Sequence, residues 1–129
     1  MDVKRANPPN FEKIKAKFPL NDGVVFTYGS TIYAPNFDYP IPDDLMIHEE
    51  KHMEQQFTDP EGWWDRYIAD PDFRLRQELA AYRAQYRFFS EHHNKNDNYK
   101  LLTLIARDFS SEIYGNIIGF DDAMRAIAA

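Results

Sequence analysis

The chain has 129 residues, with 15 Lys+Arg against 21 Asp+Glu for a net charge of −6, 43% apolar and 16% aromatic residues, and no cysteine. That length fits one domain able to bury a core without disulfides, and the missing cysteines exclude disulfide scaffolds and thiolate metal sites. The acidic balance argues against a binder of nucleic-acid phosphates, although residues 1–17 carry five basic side chains against two acidic ones.

From the N-terminus, residues 1–9 have no apolar signal core, so secretion by that route is not expected. Residues 10–17 predict a short helix, with Asn10 as cap, Phe11, Ile14 and Phe18 at helical spacing, and Pro19 as the stop. A turn at Asn21-Asp22-Gly23 leads into two β-branched and aromatic runs, residues 24–28 and 31–34. Gly29-Ser30 between them is the spacing of a hairpin with a two-residue loop. Residues 35–42 form a proline-rich, extended connection. Helices are expected from there on. One is capped by Asp43 or Asp44 and runs to about Phe57, stopped by Thr58-Asp59-Pro60; a short one spans 63–68; a long one is capped by Asp70 and runs to about Glu91. After a loop at 93–98, a helix from about Tyr99 to Phe109 and a last one capped by Asp121 or Asp122 complete the chain. The longest apolar stretches, 101–102 and 104–106, are too short to cross a membrane, so a cytoplasmic protein is expected, with packaging into a particle open. A hairpin followed by helices reads as α+β in a single domain, residues 1–129.

The most informative residues are His48-Glu49-Glu50-Lys51-His52, an H-E-x-x-H on a predicted helix. Histidines at i and i+4 stand one above the other on a helix face, so both imidazoles can reach one metal ion. Zinc accepts neutral imidazole nitrogen and can keep a position open for water. Glu49 beside the pair can take a proton from that water, whose pKa the metal brings toward about 7. At about 100° per residue, His48, Glu49 and His52 share half of the wheel with Leu45, Met46, Met53, Gln56 and Phe57. The alternative is a helix whose histidines are hydrogen-bonded in the core or exposed, which gives Glu49 no reason to face inward.

A catalytic zinc usually takes three protein ligands, and Glu78 on the long helix is the candidate third. It lies at the edge of an apolar arc made by Leu75, Leu79, Tyr82, Tyr86 and Phe89, away from Arg76, Arg83 and Arg87. A buried carboxylate is unfavourable unless it is paired or binds a metal. The competing reading is a boundary glutamate that reaches solvent or pairs with Arg74, four residues earlier. Glu91, His92 and His93 form another cluster, but beside an Asn/Lys-rich loop they read as a solvated helix end.

H-E-x-x-H on one helix with a glutamate on a following helix resembles the gluzincin metallopeptidases. The short length, the single hairpin ahead of the motif helix and Glu-x-x-Ala-Tyr at residues 78–82 look most like the minigluzincins and like small zincin-like proteins of phages and prophages. The resemblance covers about residues 24–92. It implies a small zincin-like α+β fold with His48, His52 and Glu78 as zinc ligands and Glu49 as general base and acid. It also implies a polypeptide substrate lying in extended form along residues 31–34 as a sheet edge. This chain has no obvious second domain to wall a cleft, as the larger gluzincins do. Peptide hydrolysis needs a stabiliser for the developing oxyanion; Tyr82 is the nearest candidate, with a core aromatic as the alternative, and Tyr39 and Tyr114 stay unranked. Trp63, Trp64 and Tyr67 are expected to pack beneath the loop joining the metal helices. The expected reaction is zinc-dependent cleavage of a peptide bond. The competing function is a zinc-stabilised module that binds a protein partner and cuts nothing, and a third is a metal-free protein with a chance motif.

Overall fold

The computed structural model describes residues 2–37 and 40–129, so Tyr39 lies outside the described residues. The fold is α+β, with short strands gathered near the N-terminus and helices making up most of the rest. Strands β1 (Asp2–Lys4), β2 (Phe26–Tyr28) and β3 (Thr31–Tyr33) form one sheet in the order β1-β3-β2. The expected hairpin forms around Gly29, whose φ of +64° is the left-handed conformation such a short loop needs.

The reading of residues 31–34 as a sheet edge is incorrect. β3 is the central strand, antiparallel to β2 and parallel to β1, with Val3 opposite Ile32. β1 left no trace in the sequence pattern because it is short, exposed throughout, and paired to a strand far along the chain. The edge beside the helices belongs instead to β2. There the carbonyl of Thr27 already accepts hydrogen bonds from Gln56 Nε2 at 2.7 Å and Trp64 Nε1 at 2.9 Å, which blocks strand addition at that residue.

The helices are α1 (Phe11–Lys17), α2 (Asp43–Gln56), α3 (Pro60–Ala69), α4 (Pro71–Ser90), α5 (Lys95–Phe109) and α6 (Phe120–Ala128), with one 3-10 turn at Glu112–Tyr114. Their starts differ from expectation where side-chain capping decides. α3 begins at Pro60 rather than near Trp63, because the Asp59 carboxylate accepts from the Gly62 amide at 2.9 Å. A Cβ on Gly62 would meet Asp59 Oδ2 at 2.1 Å, so this cap requires glycine there. Likewise the Asn94 side chain accepts from Asp97 N and starts α5 at Lys95, inside the expected 93–98 loop. Asn10 occupies the cap position of α1 without making a capping bond, and α2 and α6 start after Pro42 and Gly119 with their expected aspartates in the first turn. Phe57, expected on the buried half of α2, is 83% exposed: the helix ends at Gln56 and the chain turns away through a φ of 47°.

Three apolar clusters surround the α2–α4 contact. One joins Ile14, Phe18 and Phe26 to Trp63, Trp64, Tyr67 and Phe73; a second joins Tyr82 to α5 and α6 through Leu102, Ile105 and Phe109; a third packs Ile32, Ala34 and Ile41 beneath α2. α2 and α4 form the most extensive helix pair in the molecule. The seam between them is polar, since the fully buried residues of α2 are His48, Glu49, His52 and Gln56. On α4 the buried stripe is Arg74, Glu78, Tyr82 and Gln85; of the expected apolar arc Tyr82 is buried, while Leu75, Leu79 and Tyr86 are only partly buried. Among the described residues, no helix is long and apolar enough to cross a membrane.

Packing of this kind sets a scale. Phe109 is fully buried, so Phe109→Ala should lower unfolding free energy by about 3–5 kcal/mol in urea denaturation. Leu104→Ala, at a 53% exposed position of the same helix, should change it by less than about 1 kcal/mol.

Candidate metal centre

α2 places His48 and His52 one turn apart, with ring centroids 4.9 Å apart and planes at 78°. α4 brings Glu78 against them, and a single carboxylate oxygen, Oε1, lies 3.1 Å from Nε2 of both histidines. The other oxygen, Oε2, accepts a hydrogen bond from the Tyr67 hydroxyl at 2.6 Å. Arg74 does not take Glu78: its guanidinium donates to the carbonyls of Tyr67, Ile68 and Tyr114 and lies over the Phe18 ring.

The outer hydrogen bonds decide what the two imidazoles present to Glu78. Gln85 donates its amide to Asp44 Oδ2 at 2.8 Å, so its oxygen faces His48 Nδ1, 3.0 Å away. Gln55 donates to the carbonyl of Gln77 at 3.0 Å, so its oxygen faces His52 Nδ1 at 2.8 Å. Each Nδ1 must therefore carry the proton, and a neutral ring then points the Nε2 lone pair inward. Two imidazole lone pairs and a carboxylate oxygen all aim at one small volume, the ligand atoms lying within 4.8 Å of one another and all three residues buried. Acceptors converge like this only around a cation or around protons. The buried His48–His52–Glu78 group can thus hold a metal ion.

The alternative occupant is protons, and the electrostatics describe it. Burial alone would lower the pKa of His52, but the Glu78 carboxylate overcomes that and lifts it to about 9. Burial would raise Glu78, but His52 and His48 hold it well below the usual carboxylate range. Glu49 is raised, because burial outweighs the attraction of the histidines. Its Oε1 accepts from the Thr27 hydroxyl at 3.1 Å, while Oε2 lies 3.7 Å from His48 Nε2.

Tyr82, expected as an oxyanion stabiliser, packs its ring edge-on to His48 with centroids 4.4 Å apart, and its hydroxyl lies 2.6 Å from that of Tyr114. Burial raises both phenols well above their ordinary range, so both stay protonated. Two O–H groups share one hydrogen bond, which leaves one proton of the pair for an oxygen outside it. His48, Glu49, His52, Glu78, Tyr82 and Tyr114 all border one cavity of about 660 Å³. Trp63 stacks on Tyr67 with centroids 4.9 Å apart and meets the His52 ring edge, so the tryptophan pair supports the site as well as packing under the α2–α4 connection. Glu91, His92 and His93 stay apart and exposed, each histidine Nδ1 bonded to a carbonyl of the preceding turn, Phe88 or Phe89.

Sequence reasoning missed Tyr67, Gln55, Gln85 and Thr27. Gln85 stands two turns from Glu78 on the same face of α4, a spacing that could have pointed to it. Tyr67 and Thr27 carried no such signal, because they come from other elements. No family model, curated protein or solved structure matches this chain.

Replacing Gln85 by leucine releases His48 Nδ1 and should weaken metal affinity roughly 10- to 100-fold in competition titrations with a chromophoric chelator. In the metal-free protein the His52–Glu78 pair makes stability pH dependent. His52 contributes fully below its ordinary value of 6.5 and loses that contribution as pH rises through about 9. Glu78, shifted downward, contributes above its ordinary 4.5 and loses that contribution as pH falls through its lowered value. Urea denaturation in chelator should show stability falling between about pH 6.5 and 9, and Glu78→Gln should remove most of that slope.

Proposed function

We propose that this protein is a zinc-dependent peptidase of the gluzincin kind, with His48, His52 and Glu78 as metal ligands and Glu49 as general base and acid. The observation that carries this reading is the meeting of three inward-facing acceptors with a second carboxylate, that of Glu49, beside them. A zinc ion, when bound, supplies a Lewis acid that polarises a substrate carbonyl and brings a water's pKa toward about 7. Glu49 is held by Thr27 through Oε1, and Oε2 accepts no hydrogen bond among the described residues, the arrangement a proton acceptor needs. It takes the proton of the attacking water as oxygen bonds to the carbonyl carbon, and gives it to the leaving nitrogen as the C–N bond breaks. The proton that the Tyr82–Tyr114 hydrogen bond leaves over is the donor we assign to the developing oxyanion. Gln55, Gln85 and Tyr67 hold the ligands in orientation.

Burial favours a second reading. His48, Glu49, His52 and Glu78 are each only 4–5% exposed, as in a metal site whose role is to stabilise a protein-binding module.

Zinc-loaded protein incubated with an unfolded protein mixture separates the two. Under the peptidase reading new amino termini appear, and Glu49→Gln keeps one zinc per chain while turnover falls by at least about 1,000-fold, whereas His48→Ala or His52→Ala loses the metal. Under the module reading no cleavage occurs at any zinc level, and chelation sharply lowers the melting temperature. Full turnover by Glu49→Gln would remove the proposed mechanism.

A further inference from the structure

The cavity that borders the metal centre has a wall, a sign of charge and an open rim. α5 supplies the wall with Leu101, Leu104, Ile105 and Asp108, at i, i+3, i+4 and i+7, all of which line the cavity. Leu104 is 53% exposed, so the lining includes an apolar side chain that reaches solvent. Val25, just ahead of β2, and Leu45 on α2 line the same cavity.

Charge distinguishes this cleft more sharply. Its lining carries the carboxylates of Asp44, Glu49, Glu78, Asp108 and Glu112, and among the described residues that line it none is a lysine or arginine. Glu78 and Glu49 belong to the metal centre. Asp44 is bonded to the neutral amide of Gln85, which leaves its charge in place. Asp108 and Glu112 form no ion pair among the described residues. A bound dication would leave the cleft negative. A chain presenting its own carboxylates there meets net repulsion, while a lysine, an arginine or a free amino group meets an excess of acids beside an apolar wall.

We propose that the cleft takes a positively charged, partly apolar segment of polypeptide, with Asp108 and Glu112 as the residues that select its charge and Leu101 and Leu104 as the apolar contact. This rests on the reading of the metal cleft as a polypeptide site, and it adds the class of polypeptide. It also sets the cleft against substrates anchored by a terminal carboxylate, since among the described residues no lysine or arginine lines it.

The test uses the full chain carrying Glu49→Gln, loaded with zinc, and fluorescein-labelled ten-residue peptides of three compositions: Lys/Leu, Glu/Leu and Lys/Ser. By fluorescence anisotropy, the Lys/Leu peptide should bind at least about 10-fold more tightly than either of the others, with affinity falling as salt rises. Adding Asp108→Asn and Glu112→Gln, isosteric changes at exposed positions, should remove most of that preference and flatten the salt dependence. Equal affinity for Lys/Leu and Glu/Leu, no binding of any peptide, or a double variant that binds like its parent would each overturn the proposal. Cleavage by the unsubstituted zinc-loaded protein is scored separately. Charge-selective binding without cleavage keeps this inference and removes the hydrolase reading; cleavage without charge selectivity does the reverse.

Discussion

Three hydrogen-bond acceptors, His48 Nε2, His52 Nε2 and Glu78 Oε1, point at one another in the buried seam between α2 and α4. Left to themselves, such groups would be driven apart or out to water, because burying them unpaired is strongly unfavourable. They are held together by partners on their far sides. Gln85 and Gln55 take the outer imidazole protons and Tyr67 takes the outer carboxylate oxygen. Each of those partners is anchored again, Gln85 to Asp44, Gln55 to the Gln77 carbonyl and Tyr67 within the aromatic stack of Trp63. The site is therefore preorganised by neutral groups, which orient the ligands without adding charge to compete with a cation.

Much of the remaining structure is arranged around this seam. The small sheet reaches it through Thr27, whose hydroxyl holds Glu49 while its carbonyl ties β2 to Gln56 and Trp64. Arg74 joins the end of α3, the start of α4 and the 3-10 turn through three carbonyls, and so fixes the backbone that carries Tyr114 beside Tyr82. Apolar clusters flank the polar seam and supply the packing that holds α2 against α4.

The α+β class, the long helices and the grouping of His48, His52 and Glu78 were legible because each depends on short-range periodicity or on a chemical requirement. Histidines four apart must share a helix face, and a glutamate set apart from the arginines of its helix needs a reason to be buried. The starts of α3 and α5 were misplaced by a few residues, because a Pro, Gly or Asn near a helix end reads equally well as a stop or a start. The choice of residues 31–34 as an edge failed for another reason: β1 is a three-residue strand whose only reason to be a strand is its partner.

By itself the sequence determined which residues could bind a metal, since helical spacing and side-chain chemistry are local properties. It also put His48 and His52 on the apolar half of α2 and Glu78 at the edge of the apolar arc of α4. Tertiary structure decided that Glu78 meets the histidines rather than Arg74, that neutral glutamines and a tyrosine complete the shell, and that Tyr114 joins Tyr82 over the cavity. Apart from Gln55–His52 within α2, those contacts join residues 11 to 37 positions apart on different elements, and only packing brings them within hydrogen-bonding reach.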